Sequence, residues 1–244
     1  MIKLFILLYS LLTFNKIINS QTFIDKQLSY TMVKEAFSEK YSILEILLKA
    51  NNLDVKNYYG LIRIFKKEKI LELWAKKIEP NSPWMLINIY KICSPISILG
   101  PKISKEDEYP EGIYYIKELS SSNEELSLKL DFPNAADMYY LKVLPNSEIK
   151  IVGTCFQSQN FSVPEDKIKE IYLFTLFALA NGQKFFPIHI FPCKLSQENL
   201  NYLIDINPNY QTFWKSLFYI YNYFEKFKEL PQVIINTNGT YSIE

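Results

Sequence analysis

Hydrophobic side chains near the start of the chain recur with the period of a helix. Residues 27–52 are apolar at about every third or fourth position: Leu28, Met32, Phe37, Tyr41, Leu44, Leu47 and Leu48. Such a stripe forms a core face more often than a groove for a partner. The sequence therefore predicts an N-terminal helical arm that packs on the rest of the protein.

Beyond Tyr59 the apolar runs become shorter and are typical of β-strands. The charged residues 66–69 separate two such runs and predict a hairpin turn. Further along the chain, Pro110 and Gly112 predict a turn that ends before the next apolar run. The strands predicted here are residues 61–65, 70–75, 84–93 and 113–116.

A short strand, a loop and a helix start follow one another near the middle of the chain. Residues 148–152 alternate polar and apolar side chains, and Gly153 allows the chain to bend. Ser162 and Glu165 have the spacing of a capping box for a helix that ends at Asn181, before a glycine. Backbone N–H groups of such a turn can hold an oxyanion, so this segment is the candidate functional site.

The last third of the chain predicts one strand, two helices and a hairpin. Residues 185–191 are strongly apolar and include His189, the only histidine. A lone histidine in such a strand is usually structural, so a catalytic role is the less favoured interpretation. Residues 197–203 and 210–227 predict helices, and residues 233–243 predict a hairpin turned by Asn-Gly.

Composition narrows the function classes. The chain has 244 residues, enough for one sizeable domain with appendages, and 48% of them are hydrophobic. A formal net charge of +1 gives no support to nucleic-acid binding. Glycine is scarce, and neither GxGxxG nor GxxxxGK[ST] occurs, so we predict no cofactor.

The first residues predict a secretory signal. A lysine at position 3 precedes an apolar run at residues 4–14, which is too short to span a membrane. Cleavage after Ser20 would leave an exported chain, in the periplasm or cell envelope, with no transmembrane span. Ile18 is large for its place before the cleavage site, so an uncleaved anchor is the alternative.

Three cysteines remain, namely Cys93, Cys155 and Cys193. An odd number leaves at least one unpaired, and the spacing suggests no metal site. A disulfide between Cys93 and Cys155 is one alternative. The favoured interpretation is that the cysteines are small buried hydrophobic residues.

The candidate functional segment resembles the active-site segment of the L,D-transpeptidase catalytic-domain family. The similarity is to the branch of periplasmic murein enzymes that includes the amidase releasing the outer-membrane lipoprotein from peptidoglycan. In that family a strand ends Ile-His-Gly and a loop leads through Ser-x-Gly-Cys to a helix, with His as base and Cys as nucleophile. Gly153 matches the first glycine, but Val152 stands at the His position, Gln159 at the second glycine and Asn160 at the Cys position.

Further motifs extend this resemblance over residues 58–243. They are Tyr-Lys-Ile-Cys at 90–93, Leu-Gly-Pro-Lys at 99–102, Pro-Glu-Gly at 110–112, Phe-Pro-Asn at 132–134 and Phe-Trp at 213–214. The resemblance implies that Lys102, Glu111, Asn134 and Gly153 contact the substrate. Met138 replaces the family's arginine, which weakens any anionic contact there.

The resemblance also implies a fold and a division of the chain. We expect an α+β, β-rich fold: a mixed β-sheet sandwich with packed helices and helical additions at both ends. The expected parts are a signal peptide at 1–20, the helical arm at 21–56, the L,D-transpeptidase-like domain at 57–194 and a C-terminal extension at 195–244.

Without the family's cysteine and histidine, we expect a catalytically inactive module that binds peptidoglycan stem peptides or a cell-envelope protein, with no metal. The alternative is an active cysteine transpeptidase or peptidoglycan amidase. In that alternative Cys155 is a relocated nucleophile and His189 is its base.

Overall fold

The computed structural model describes residues 22–96, 98–103, 109–121, 125–141, 148–155 and 160–244. Ten strands lie in these ranges: β1 (Tyr58–Phe65), β2 (Ile70–Lys77), β3 (Met85–Lys91), β4 (Gly112–Ser121), β5 (Leu126–Leu130), β6 (Lys150–Val152), β7 (Phe161–Ser162), β8 (Pro187–Phe191), β9 (Val233–Ile235) and β10 (Tyr241–Ile243). The helices there are α1 (Thr31–Lys49), α2 (Asp137–Tyr140), α3 (Glu165–Ala180), α4 (Gln197–Ile206) and α5 (Gln211–Phe227). Residues 22–28 are also helical, and a 3₁₀ turn at Pro208–Tyr210 joins α4 to α5.

Eight strands form one mixed sheet in the order β3-β2-β1-β8-β4-β5-β6-β7. Most neighbours are antiparallel, whereas β1 with β8 and β6 with β7 are parallel. The first half of β4 pairs with β8 and the second half with β5, with an irregularity between Ile116 and Glu118. A bulge bends its strand and increases the local twist, so the sheet turns at this point.

The turn of the sheet brings its two ends together. The backbone N–H of Cys93, just after β3, donates to the carbonyl of Ser162 in β7 at 2.8 Å. These strands stand at opposite ends of the strand order. The sheet therefore curls almost into a closed layer, and the segment after β3 lies against the loop between β6 and β7.

Helices cover the sheet on two sides and divide the core. The larger hydrophobic cluster contains α3, which is buried along most of its length, with α1 packed on it through Phe37 and Phe177. A second cluster lies under α4 and α5 and includes Phe65, Phe191 and Trp214. The fold is thus α+β, with a large curled mixed sheet and packed helices, as the family resemblance implies. Within the described ranges, no helix has both the length and the apolar content that a membrane crossing requires.

The predicted hairpin of β1 and β2 and the terminal hairpin of β9 and β10 are confirmed. The predicted N-terminal helix is interrupted at residues 29–30. The predicted capping box is wrong, because Ser162 belongs to β7 and the helix begins after Pro164 with no side-chain cap. The helix α3 ends at Ala180, one residue before the predicted end, with Asn181 as its C-cap and Gly182 at a positive φ of 94°.

Candidate functional site

The end of β6, which carries the expected histidine position, is buried in the protein. Val152 ends β6 and is fully buried, in register with Ser127 of β5 and Ser162 of β7. Gly153 follows, and a Cβ at that position would lie 2.5 Å from Ile168 Cγ2 of α3. The end of β6 therefore packs against α3 too closely for any side chain at residue 153.

Asn160 occupies the expected nucleophile position. It holds the end of the β6–β7 loop by two hydrogen bonds. Its side-chain Oδ1 accepts a hydrogen bond from the backbone N–H of Lys150 at 3.0 Å, at the start of β6. Its carbonyl accepts from the Ser94 hydroxyl at 2.8 Å. An amide is neither a nucleophile nor a base here, and its hydrogen bond gives it a structural role. Gln159 lies outside the described residues.

A disulfide joins Cys93 to Cys155, with an S–S distance of 2.09 Å. The favoured interpretation of these two cysteines as buried thiols is therefore wrong, and the alternative pairing is confirmed. Cys193 is free and buried, and burial raises its pKa to about 12. A thiol with such a pKa stays protonated near neutral pH and is a poor nucleophile.

Ser94 fixes the same loop at a second point. Its hydroxyl accepts from the backbone N–H of Ser162 at 2.6 Å and donates to the carbonyl of Asn160. Tyr109 packs its ring on Phe161, with the centroids 5.0 Å apart. The segment after β3 thus holds the described ends of the β6–β7 loop by hydrogen bonds and by one covalent bond.

His189 lies in the middle of the sheet, between Arg63 of β1 and Ile113 of β4 in register. Burial, together with the positive charge of Arg63, lowers the pKa of His189 to about 3. Such an imidazole is a weak general base near pH 7. Two strands separate β8 from β6, and Cys155 has no free thiol, so the structure does not assemble the relocated pair.

Arg63, beside His189, is a buried positive charge that the sequence analysis did not predict. Its Nη1 donates to Glu225 Oε1 at 2.7 Å. Aromatic rings surround the guanidinium at 4.5–5.6 Å from their centroids: Phe65, Trp74, Phe191, Tyr221 and Phe224. These contacts join β1 to α5 and stabilise the buried charge. The only sequence signal is an arginine inside an apolar strand.

Glu111, predicted to contact substrate, is fully buried and connects three parts of the chain. Its Oε1 accepts from Lys66 Nζ at 2.8 Å and from the backbone N–H of Gly100 at 2.7 Å. Its Oε2 accepts from Trp214 Nε1 at 3.0 Å. Lys102 is also fully buried. Protein groups already satisfy the Glu111 carboxylate, so a ligand would have to displace them to reach it.

Asn134 is likewise engaged with the protein. Its Nδ2 donates to the carbonyl of Ile113 at 3.0 Å and to Tyr241 Oη at 3.1 Å. Nearby, the carboxylate of Asp137 accepts from Tyr114 Oη at 2.7 Å and from the backbone N–H of Asn134 at 2.8 Å. Burial raises the pKa of Asp137 to about 7. This cluster anchors the terminal hairpin, and a substrate contact at Asn134 stays a prediction.

Comparison with known proteins identifies the family. No family model matches the chain. The chain is 30% identical over 186 residues to "Putative L,D-transpeptidase YafK" of Escherichia coli K12, which covers 75% of this chain and 72% of that protein. The chain belongs to the L,D-transpeptidase family. The protein of the same name in Escherichia coli O157:H7 gives the same identity and coverage.

Solved structures that are similar to this L,D-transpeptidase family member match it at lower sequence identity. The helical cell shape determining protein Pgp2 of Campylobacter jejuni gives a TM-score of 0.38 at 12% identity, covering 74% of each chain. Bd1075 of Bdellovibrio bacteriovorus gives 0.39 at 20% identity, over 64% of this chain and 57% of that one. The K307A mutant of Pgp2 gives 0.40 at 15% identity, and this chain spans 59% of it.

The described part of this L,D-transpeptidase family member holds no group of three His, Cys, Asp or Glu side chains that could bind a metal. What the site retains is the backbone frame, in which β6, the loop and α3 follow one another. Its side chains are an isopropyl group, an amide and a disulfide. Such groups can shape a surface, but they supply neither a thiolate nor an imidazole.

Proposed function

We propose that this chain is an exported, catalytically inactive L,D-transpeptidase-like protein that binds or scaffolds peptidoglycan. Family membership supports the peptidoglycan-related role. The observation that carries the inactivity is the Asn160 side chain, which accepts the Lys150 N–H at the position where the family resemblance expects the catalytic thiol. The stem peptide of the cell wall is the proposed ligand class, and a cell-envelope protein is the second partner class.

The missing chemistry supports this proposal. Acyl transfer by a cysteine enzyme needs a thiolate to attack a carbonyl and a base to take the thiol proton. Asn160 cannot form the covalent acyl intermediate, and Val152 cannot move a proton. Loss of general acid–base catalysis alone costs roughly 10²–10⁴-fold, and loss of the nucleophile removes the covalent route.

Export is supported by the Cys93–Cys155 disulfide. Disulfides persist in oxidising compartments such as the bacterial periplasm and are rare in the reducing cytosol. The predicted signal at residues 1–20 would deliver the chain to such a compartment. That segment lies outside the described residues.

The alternative function, an active enzyme with Cys155 as nucleophile, has less support. The Cys155 sulfur would have to be released by reduction before it could attack a carbonyl. A base would also be needed, and the pKa of about 3 makes His189 unsuitable.

A cosedimentation and turnover assay tests the proposal. The purified chain is incubated with diaminopimelate-containing sacculi and with lipoprotein-linked sacculi, with and without reductant. We expect the chain to pellet with sacculi and to release no product under either condition. Cys193→Ala is the matched control for Cys155→Ala, because it removes a buried thiol instead. Product release that Cys155→Ala abolishes and Cys193→Ala retains would contradict the proposal, and so would a chain that stays in the supernatant.

A further inference from the structure

A groove of about 480 Å³ lies between residues 22–28, the middle of β4 and the end of α3 with the turn that follows it. Apolar side chains line part of it, among them Phe23, Ile116 and Leu179, and the rest of the lining is polar. This volume falls within the range of small-ligand sites. The groove uses parts of the chain to which the proposed function gives no role.

Three exposed lysines line this groove: Lys26 from residues 22–28, Lys117 from β4 and Lys184 from the turn after α3. Within the described ranges, none of their ammonium groups forms a hydrogen bond or an ion pair. Among the lining residues there, Glu118 is the one carboxylate. The groove therefore carries an excess of positive charge, although the formal net charge of the chain is only +1.

An exposed aromatic ring lies next to these charges. Phe185 follows Lys184 in the chain, and 68% of its surface is exposed. Its ring packs on Tyr115 of β4, with the centroids 5.5 Å apart. Exposed aromatic and basic side chains occur together where proteins lie on a lipid bilayer. We refer to Lys26, Lys117, Lys184 and Phe185 together as the basic face.

Hydrogen bonds fix the backbone that carries the basic face. Tyr172 Oη of α3 donates to Gln27 Oε1 at 2.6 Å, which ties residues 22–28 to that helix. The Gln183 side chain accepts from the backbone N–H of Gly60 at 2.7 Å and donates to the carbonyl of Gly60 at 2.8 Å. The charges and the aromatic ring are therefore presented by preformed structure, which reduces the cost of binding.

The sequence that precedes the basic face favours a lipid bilayer over a soluble anion. Residues 15–21 separate the apolar run at 4–14 from Thr22. Fully extended, this stretch reaches at most about 28 Å, so a retained apolar run inserted in a membrane would keep the basic face near the membrane surface. Cleavage after Ser20 would instead place a new α-amino group, which is largely protonated at neutral pH, on the residue before Thr22. Both forms of the chain favour contact with anionic headgroups.

We propose that the basic face binds the surface of an anionic lipid bilayer. The three lysines contact lipid phosphates, the groove between them accepts a headgroup, and Phe185 lies at the level of the headgroups. Each lysine near an anionic membrane surface strengthens binding about fivefold, and salt screens this attraction. The membrane contact does not depend on the proposed binding of peptidoglycan.

Vesicle flotation of the full chain tests the basic face. The chain is mixed with vesicles of phosphatidylcholine alone and with vesicles that also contain phosphatidylglycerol. Residues 1–20 can bind both, so the difference between the two compositions measures the effect of lipid charge. We expect tighter binding to the anionic vesicles, which added salt weakens and which Lys26→Gln/Lys117→Gln/Lys184→Gln lowers by about tenfold to a hundredfold. Phe185→Ala should lower it at least about threefold, because less apolar surface is buried.

Matched variants at the other end of the sheet are the controls. Lys67→Gln/Lys69→Gln/Lys91→Gln removes the same charge from exposed lysines at and beside the turn between β1 and β2, where β1 ends. Tyr139→Ala removes an aromatic ring that is 61% exposed and also packs on a single neighbouring tyrosine. Both should bind the anionic vesicles as the unsubstituted chain does. Equal melting temperatures of all variants would show that they fold, and the salt dependence of the unsubstituted chain needs no variant.

Three results would overturn the proposal: equal binding to the two kinds of vesicle, binding that the triple variant of the basic face leaves unchanged, and an equal loss in the control triple variant. Inorganic phosphate is the second probe. If the chain does not bind anionic vesicles but phosphate raises its melting temperature, and does not raise that of the triple variant of the basic face, the groove holds a free anion and the membrane contact fails. Retention on lipid-free sacculi is measured separately, so the proposed function and the membrane contact can each fail alone.

Discussion

Among single side chains, Asp137 has the clearest pH-dependent role. Its carboxylate is buried and accepts hydrogen bonds from Tyr114 Oη and from the N–H of Asn134. The Tyr114 Oη also lies 3.2 Å from the carbonyl of Glu111. When Asp137 is protonated, Tyr114 can donate to that carbonyl and accept from the acid instead. Both protonation states therefore have partners.

The stability of the chain should depend on pH through Asp137. Burial raises its pKa from 3.8 in an ordinary carboxyl to about 7, so the folded state binds this proton more tightly than the unfolded state. The stabilisation that this bound proton gives the folded state is complete below pH 3.8 and is lost as the pH rises through 7. Relative to Asp137→Asn, the free energy of unfolding of the unsubstituted chain should fall by roughly 2–3 kcal/mol between pH 5 and pH 8.

Urea denaturation at several pH values measures this difference. Subtracting the curve of the variant cancels the titration of other groups, including His189. Asp205→Asn, on the exposed face of α4, is the control for removing a carboxyl. Parallel curves for the unsubstituted chain and Asp137→Asn would contradict the assignment.

The sequence identified important positions better than it identified their partners. Glu111 and Asn134 stood out through motif matches, and the structure places both at junctions of several elements. Their hydrogen-bond partners come from segments far apart in the chain, such as Trp214 and Tyr241, which no local pattern reveals. Asn160 was visible as an amide, but its bond to Lys150 depends on the shape of the loop.

Between elements, the most informative contact joins the segment after β3 to the β6–β7 loop. The disulfide there closes a loop between residues separated by 62 positions. Cross-linking restricts the unfolded chain, and the effect increases with the length of the closed loop. This contact therefore stabilises the curl of the sheet as well as the loop.

Removing the disulfide should destabilise the chain measurably. We expect Cys93→Ala/Cys155→Ala to lower the free energy of unfolding by roughly 4 kcal/mol, as loop-closure entropy predicts for this separation. Thermal or urea unfolding measures the loss. Reductant should lower the stability of the unsubstituted chain to that of the double variant and leave the variant unchanged. A double variant as stable as the oxidised chain would contradict this role.

Elements defined by local pattern were predicted, and those defined by distant pairing were not. The hairpin of β1 and β2 has alternating strands around a charged turn, and it was found. The two residues of β7 form a strand only because β6 pairs with them. No local pattern shows this pairing, so one of them, Ser162, was wrongly predicted to be a helix cap. The strand β5 was also missed, and the Cys93–Cys155 pairing required the curl of the sheet.

At the scale of the whole molecule, the C-terminal segment at residues 195–244 is part of the core. Trp214 and Glu225 of α5 bond to Glu111 and Arg63, and Tyr241 of β10 bonds to Asn134. The second hydrophobic cluster combines side chains of β1 and β8 with those of α4 and α5. The predicted boundary at residues 194–195 is therefore crossed by buried polar and apolar contacts alike.

A chain ending at residue 194 should lose cooperative folding. Truncation would expose Phe65 and Phe191 and leave the Arg63 guanidinium and the Glu111 carboxylate without their α5 partners. Removing one partner of a buried charge typically costs several kcal/mol. We expect no sigmoidal thermal transition by circular dichroism, and partial recovery when a 195–244 fragment is co-expressed. A truncated chain that melts cooperatively would instead support an independent domain at 57–194.

The closeness of residue 160 to the disulfide limits how catalysis could be regained. The Asn160 carbonyl bonds to Ser94, which is adjacent to Cys93 in the chain. A thiol introduced by Asn160→Cys would lie at the end of the loop that the disulfide cross-links, so we expect thiol–disulfide exchange to compete with attack on a peptide carbonyl. A gain-of-function design must therefore begin from a chain without Cys93 and Cys155. In such a chain the thiol at residue 160 would stay free. Val152→His and Gln159→Gly would then restore the base and the glycine of the family motif beside it.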